Sequence, residues 1–231
     1  MDNAITWHSK NAEQFDGNYA RRRAFGERYD VWTDILDRYS HPERRVLDIG
    51  CGSGVFSLYA AGCNAHVLGV DGSREMIELC DHKRVASEQN NVSFVQAEIT
   101  SLADVVPESV DLIICSSVLE YVDDLDGVLR TIGTLVTPGG VVAISMPNPA
   151  SLYRRMEPVA YKLTGRPKYY GYVKNVIPID ALVRNLAAHG LAAVETRFFS
   201  KTRALAPILH RLGLAKLSDN LYVVVARRAA A

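Results

Sequence analysis

Residues 46–54 read VLDIGCGSG, an apolar run that ends in a loop with glycine at every second position. The run is typical of a buried strand, and the apolar stretch at 55–61 predicts a helix directly after the loop. Only a tight turn fits between them, and Gly50, Gly52 and Gly54 let a ligand approach its backbone closely. We therefore expect a strand, a turn and a helix, with a ligand site at the turn.

The same alternation continues along the chain. Four more apolar runs have the length of strands: 65–70, 92–95, 110–115 and 141–145. Intervening helices are predicted at 55–61, 73–87 and 125–135, with right-handed crossovers. A helix over 179–188 and two runs at 191–199 and 221–226 predict a terminal pair of strands. This order is typical of a doubly wound α/β sheet.

Two segments lie outside this alternation. Residues 13–39 have apolar side chains at helical spacing, so residues 1–40 are predicted to form a helical cap. Residues 150–177 lack clean periodicity and mix five tyrosines with basic side chains, so we interpret them as an inserted substrate lid. The 231 residues suit one domain, 1–231, rather than two independent ones.

The composition excludes several classes of protein. The chain has 26 basic and 26 acidic residues, so no global field attracts nucleic acid. The four cysteines, Cys51, Cys63, Cys80 and Cys115, lack the spacing of a metal site or disulfide framework, so no metal is expected. The first residues lack the apolar core of a signal peptide, and no run approaches a membrane span. We expect a cytoplasmic protein, either a monomer or a homodimer.

The glycine spacing separates two classes of cofactor. The loop is Gly-x-Gly-x-Gly, whereas the dinucleotide fingerprint is Gly-x-Gly-x-x-Gly, which weakens the case for a nicotinamide-dependent oxidoreductase. Asp71 ends the next predicted strand, at the offset expected for a carboxylate that binds ribose hydroxyls. Glycine turns are common, however, and any strand can end in aspartate.

Four motifs in order make the stronger case. Residues 46–54, 69–73 with Met76, 95–98 and 135–140 resemble those of the class I S-adenosylmethionine-dependent methyltransferases. Residues 115–122 are similar to the ubiquinone-biosynthesis type, which acts on small molecules. The resemblance covers about residues 13–200. It implies a Rossmann-like sheet of seven strands, mostly parallel with an antiparallel terminal strand.

The resemblance also implies the cofactor, S-adenosylmethionine, and its product, S-adenosylhomocysteine. Asp48 and the glycine loop would hold the methionine end, Asp71 the ribose, and residues 97–99 the adenine. Met76 could instead be core filler, and Tyr19 could be helix packing rather than a cover for the cofactor. The full set of implied cofactor-binding residues is Tyr19, Asp48, Gly50, Cys51, Gly52, Gly54, Asp71, Gly72, Met76, Ala97, Glu98, Ile99, Ser116 and Ser117. Glu98 stands where the family usually has aspartate.

Catalytic residues are harder to assign. Methyl transfer from a sulfonium depends mainly on positioning, and a base helps only where the acceptor must lose a proton. The family's usual histidine is replaced by Tyr121, which we interpret as a substrate-side hydroxyl, and His8 is the other candidate. The lid is either a solvated loop or a selector of an anionic or aromatic acceptor, with Arg154, Arg155, Tyr169 and Tyr170 as candidate substrate contacts.

The sequence thus predicts methyl transfer to an oxygen or nitrogen of a small molecule, such as a metabolite or natural-product intermediate. The acceptor stays open. The nucleobase signature, Asp or Asn followed by two prolines and an aromatic residue, is absent. An amphipathic segment at 205–217 would also suit a membrane surface, but it fits an ordinary packed helix, so membrane contact is not expected. A sensor or partner subunit that binds the cofactor without catalysis is the alternative.

Overall fold

The computed structural model describes residues 4–9, 23–64, 66–201 and 206–230. These residues form one seven-stranded sheet in the order β3-β2-β1-β4-β5-β7-β6. Strands β1 to β5 pair in parallel, and β7 runs antiparallel to both of its neighbours, β5 and β6. The strands are β1 (Arg45–Ile49), β2 (His66–Asp71), β3 (Val92–Gln96), β4 (Val110–Ser116), β5 (Val136–Pro147), β6 (Leu191–Lys201) and β7 (Asp219–Arg228). The predicted fold class is confirmed.

Helices connect and cover the strands. They are α1 (Ala4–Ser9), α2 (Arg23–Tyr39), α3 (Val55–Ala61), α4 (Arg74–Ala86), α5 (Leu102–Val105), α6 (Leu125–Leu135), α7 (Leu152–Thr164), α8 (Ile179–Ala188), α9 (Ala206–Arg211) and α10 (Ala215–Ser218). The chain builds β1, β2 and β3 outward, then returns to place β4 on the other side of β1. The strand order therefore reverses at β1 and β4, where α/β sheets bind their ligands beyond the carboxyl ends of the strands.

Successive side chains of each strand point to opposite faces of the sheet. Helices pack against both faces, so both are buried. In β4, Leu112 and Ile114 pack in a cluster with Trp32 of α2 and Phe56 of α3. The indole and phenyl ring centroids of that pair are 5.6 Å apart. The alternate residues of β4 belong to a second cluster, which includes apolar side chains of α6 and α8.

The element boundaries correct the sequence prediction at two places. Residues 150–177, whose sequence has no clean periodicity, contain the 13-residue helix α7. The strand predicted at 141–145 begins earlier, because Val136 already pairs with Val110. Residues 137–140 lie in the irregular stretch that follows, and regular pairing resumes between Val141 and Leu112. Pro138 has no amide hydrogen to donate, and Gly139 and Gly140 have no side chain to pack. These residues therefore interrupt the pairing.

A substitution of Ile113 tests whether β4 is packed in the centre of the sheet. Its side chain is fully buried, so Ile113→Ala should lower the free energy of unfolding by about 3 kcal/mol in urea denaturation. The control, Val85→Ala, alters a side chain that is 67% exposed, and the change should stay within about 0.5 kcal/mol. Similar losses in both variants would contradict this packing.

Candidate active site

The glycine loop after β1 bends sharply over β2. Gly50, Gly52 and Gly54 have φ values of 66°, 52° and 75°, a left-handed conformation that favours glycine. The backbone amides of Gly50 and Cys51 both donate to the carbonyl of Val70, at 2.7 and 3.0 Å. A Cβ atom at Gly50 would collide with Val118, the second residue after β4. The loop therefore lies close to the ends of both neighbouring strands.

Asp71 connects the loop to the end of β2. One carboxylate oxygen accepts a hydrogen bond from the amide of Gly52 at 2.9 Å, and the other accepts from the amide of Ser73 at 2.8 Å. Burial raises the pKa of Asp71, although these two hydrogen bonds oppose the shift. Each oxygen has a further lone pair, so the carboxylate can still accept bonds from a ligand hydroxyl.

Asp48 is a buried acid with one oxygen unpaired. Its side chain is 1% exposed, and Oδ2 accepts a hydrogen bond of 2.6 Å from the hydroxyl of Ser57. Its Oδ1 is buried without a hydrogen-bond partner. Burial raises the pKa of this carboxyl group to about 7, and the charge of Asp71 adds to the effect. A buried, unpaired carboxylate oxygen is costly, and it suits a cationic ligand.

Arg28 of α2 brings a positive charge to the same edge. Its Nη2 donates to the carbonyl and hydroxyl oxygens of Ser116, at 2.8 and 2.6 Å, and its Nε is buried without a partner. The guanidinium is close enough to Asp48 to oppose the rise in the pKa of that acid. The sequence prediction missed Arg28, because it lies in no motif and is 88 residues from Ser116.

A second buried acid, Glu120, was also missed. It lies in the short 3-10 helix Leu119–Tyr121, is 3% exposed, and has a buried Oε2 without a partner. Burial raises the pKa of Glu120 to about 7, while the positive charges of Arg154 and Arg28 oppose the shift. The same turn anchors the following loop, because the carbonyl of Glu120 accepts from the amides of Lys174 and Asn175. Its position directly before Tyr121 was the available signal.

Comparison with known proteins assigns the chain to a family. A family model described as a methyltransferase domain matches residues 40–194. A ubiquinone biosynthesis O-methyltransferase from Burkholderia pseudomallei is 30% identical over 205 residues, which cover 84% of this chain and 83% of that enzyme. The chain belongs to the class I S-adenosylmethionine-dependent methyltransferases.

Two further similarities differ in extent. An enzyme of the same name from Aeromonas salmonicida is 40% identical over 106 residues, which span 46% of this methyltransferase and 44% of that one. The crystal structure of the N-methyltransferase NodS from Bradyrhizobium japonicum, in complex with S-adenosylhomocysteine, aligns with a TM-score of 0.70. That alignment covers 98% of this chain and 99% of NodS at 15% identity, so it shows the shared fold alone.

The residues implied for adenine binding surround the end of β3. The amide of Ala97 donates to the carbonyl of Asp71 at 3.0 Å, which holds residues 97–99 beside β2. The side chain of Glu98 is exposed, and that of Met76 is 2% exposed. Beside them, an open cleft of about 420 Å³ is lined by α1, Gln96 and residues 72–75, which include Gly72.

Three candidate residues, Ser116, Ser117 and Tyr121, lie at or just after the end of β4. The amide of Ser117 donates to the hydroxyl of Ser145 at 3.1 Å, which fixes the backbone next to Ser116. Burial raises the pKa of Tyr121 above its ordinary value, and the charge of Glu120 raises it further, so the phenol is unsuited to be a base. His8 lies in α1, but its side chain, like all of Tyr19, is outside the described residues.

The candidate substrate residues of the lid divide into two sets. Arg154 donates to both oxygens of Glu157, at 3.0 and 2.9 Å, and Tyr169 also donates to that carboxylate. The charge of Arg154 is therefore already paired, which weakens its predicted role as an anion receptor. Arg155 is exposed on α7, and the ring of Tyr170 packs against that of Tyr161, with centroids 5.4 Å apart.

Within the described ranges, no group of three or more His, Cys, Asp or Glu residues could hold a metal ion. Over the same ranges, each helix is too short or too polar to cross a bilayer.

The contact between Gly50 and Val118 can be tested against a matched glycine. Gly139 has a similar φ of 77°, but a Cβ atom there would meet nothing within 4 Å. Both Gly→Ala changes strain the backbone, but Gly50→Ala should cost about 1 to 3 kcal/mol more because of the collision. In urea denaturation, Val118→Ala should suppress this extra cost in a double-mutant cycle. Equal losses at both glycines would refute the close approach.

The raised pKa of Asp48 predicts a pH dependence of stability. The folded protein binds this proton more tightly than the unfolded chain, so stability should fall as pH rises from about 4 to about 7, by up to ~1.4 kcal/mol per unit. The pKa of Glu120 is also raised to about 7, which adds a slope of the same sign, so Asp48→Asn should reduce the total slope without abolishing it when unfolding is measured at pH 5 and pH 7 without ligand.

Asp34→Asn is the control for this titration. A hydrogen bond from Arg197 lowers the pKa of Asp34, so its titration lies below this range of pH. The slope of the control should match that of the unaltered protein. An unchanged slope in Asp48→Asn would show that the carboxyl group is not buried as described.

Proposed function

We propose that the enzyme transfers the methyl group of S-adenosylmethionine to an oxygen or nitrogen atom of a small-molecule acceptor and releases S-adenosylhomocysteine. The pair formed by Asp48 and Arg28 carries the proposal. One buried carboxylate oxygen and one buried guanidinium nitrogen, both without partners, lie at the carboxyl edge of the sheet. The amino-acid end of the cofactor has an ammonium and a carboxylate, which are the two groups that would pair with them.

The remaining residues fit the rest of the cofactor. Asp71 keeps lone pairs for ribose hydroxyls, and the glycine loop presents backbone without side chains. Residues 97–99 and Met76 would border the adenine, beside the open cleft at Gly72. In this proposal, the polar groups follow the order of the cofactor from methionine to base.

The cofactor, when bound, supplies a methyl group that is already activated by its sulfonium. The protein then has to orient the acceptor in line with it and exclude water. Ser116 and Ser117 would border the sulfonium, and Tyr121 would donate its hydroxyl to the acceptor rather than remove a proton. Glu120 has a pKa of about 7, so at neutral pH it is better suited than Tyr121 to remove a proton from a hydroxyl group of the methyl acceptor.

Residues 1–40 and 150–177 would together cover the acceptor, as a helical cap and a lid on one domain spanning 1–231. In support, α1 packs against α4 and lies beside the 3-10 helix Lys168–Tyr172. The tyrosines of the lid favour an aromatic acceptor. The relatives named as ubiquinone biosynthesis O-methyltransferases favour oxygen as the atom that is methylated.

The role of Arg28 can be tested by calorimetry with S-adenosylhomocysteine. Arg28→Met should weaken binding at least about tenfold, because it removes the charge that would pair with the cofactor carboxylate. The control, Arg38→Met, alters an exposed arginine of the same helix that pairs with Glu195, and its affinity should not change. Undiminished binding in Arg28→Met, or in Asp71→Ala, would contradict the proposed cofactor site.

A sensor that binds the cofactor without catalysis would pass that test. The two functions separate in a second measurement, the release of S-adenosylhomocysteine over a panel of phenolic and amine acceptors. Release with any acceptor supports the enzyme, whereas tight cofactor binding with no release over the whole panel supports the sensor.

A further inference from the structure

Residues 174–177, which we call the strap, cross the turn that follows β4. The strap is the last part of the lid and ends shortly before α8. The amides of its first two residues both donate to the carbonyl of Glu120, at 2.7 and 3.0 Å. At its other end, the carbonyl of Ile177 accepts a hydrogen bond of 2.9 Å from the hydroxyl of Tyr222 in β7. Both ends of the strap are thus fixed to the sheet or to the turn beside it.

The side chain of Asn175 bridges the same turn. Its Nδ2 donates to the carbonyl of Leu119 at 2.9 Å and to that of Val122 at 2.7 Å. A short 3-10 helix leaves its last carbonyls without partners in the helix, and a side-chain amide with two N–H bonds can satisfy two of them. Its backbone amide donates to the carbonyl of Glu120. The turn cannot rotate without breaking these bonds to Asn175.

The turn carries two residues of the candidate site, Glu120 and Tyr121. The carboxyl group of Glu120 is buried, and its Oε2 has no hydrogen-bond partner. No hydrogen bond from a neighbouring side chain therefore fixes the direction of this oxygen. Its direction depends on the backbone of the turn, which the bonds to Asn175 hold in place.

We propose that Asn175 is a positioning residue of the methyl transfer, which acts through the turn to hold Glu120 and Tyr121 toward the acceptor. The inference rests on the proposed function, because it is there that these two residues meet the acceptor. The hydrogen bonds of Asn175 go to backbone carbonyls, so its effect on the reaction is indirect. Transfer from a sulfonium depends mainly on positioning, and a displacement of about 1 Å can cost about a hundredfold in rate.

Asn91 provides a matched control. Its Nδ2 also donates to two backbone carbonyls, that of Ala61 at 2.7 Å and that of Asn64 at 2.9 Å. The side chains of both asparagines are half-buried. Asn91 directly precedes β3, so it lies at the amino edge of the sheet, opposite to the candidate site. The two Asn→Ala changes remove the same kind of bridge, so their effects on stability should be similar.

Steady-state kinetics with a phenolic acceptor compare the two variants. Asn175→Ala should lower kcat at least about tenfold and leave the affinity for S-adenosylhomocysteine unchanged, because the proposed cofactor contacts lie elsewhere. Asn91→Ala should lower the urea midpoint by a similar amount but keep kcat. Asn175→Ser keeps one hydroxyl donor, so it should give an intermediate kcat, and it replaces Asn175→Ala in the comparison if that variant does not fold. Equal losses of kcat at both asparagines, or weaker cofactor binding in Asn175→Ala, would overturn the inference.

A measurement without ligand separates this inference from the proposed function. Burial raises the pKa of Glu120 to about 7, so this group makes stability fall as pH rises from about 4 to about 7. The titratable and charged groups around Glu120 are Arg28 of α2, Arg154 of α7, Cys115 of β4, Tyr222 of β7 and the adjacent Tyr121.

Asn175→Ala should reduce the slope of unfolding free energy against pH about as much as Glu120→Gln does, because a released turn lets the carboxyl group reach water. Asn91→Ala should leave the slope unchanged. An unchanged slope in Asn175→Ala would overturn the inference whether or not any acceptor is methylated. A reduced slope in Asn175→Ala, in an unaltered protein that methylates no acceptor, would uphold the role of Asn175 in the turn and contradict the proposed function alone.

Discussion

The carboxylate of Asp71 joins two turns on which the site depends. Its hydrogen bond from the amide of Gly52 ties the loop after β1 to the end of β2, and its bond from Ser73 fixes the start of α4. The first turn lies where the strand order reverses and the second follows the neighbouring strand β2, so both open at the carboxyl edge of the sheet. The glycine loop and the start of α4, between which the proposed cofactor would lie, are held in place by this one side chain.

The same edge concentrates unsatisfied polar atoms. Among the described residues, four buried side-chain nitrogen or oxygen atoms lack a hydrogen bond, and three of them belong to Asp48, Arg28 and Glu120. Buried polar groups elsewhere in proteins are almost always paired, because an unpaired one costs free energy. The folded protein therefore bears a cost at this edge that a zwitterionic ligand would offset. Buried polar atoms without partners are expected at functional sites, where binding a ligand takes precedence over stability.

The parts of the structure that depend on local pattern were predictable. The glycine loop, Asp71 and the succession of strands and helices follow from short apolar runs and from turns that permit only certain residues. Arg28 was not predictable, because its role depends on a contact with Ser116 across 88 residues. The helix α7 was missed for a different reason. Its tyrosines and basic residues obscure the apolar side chains that recur at helical spacing, and Pro158 within the segment argues against a helix.

The polarity of α7 is reversed relative to that of most surface helices, and the reason lies beneath it. The charges of Arg154 and Glu157 influence the pKa of Tyr121, so the inner side of the helix faces the polar edge where charged groups collect. An apolar inner side would leave Glu120 and its neighbours buried against hydrocarbon, which is more costly than an ion pair held in place by Tyr169. With Arg154 and Glu157 turned inward, the apolar side chains of the helix lie outside, beside the exposed Arg155 and Lys162. The 79% exposure of Leu163 is therefore a consequence of the polar inner side of the helix.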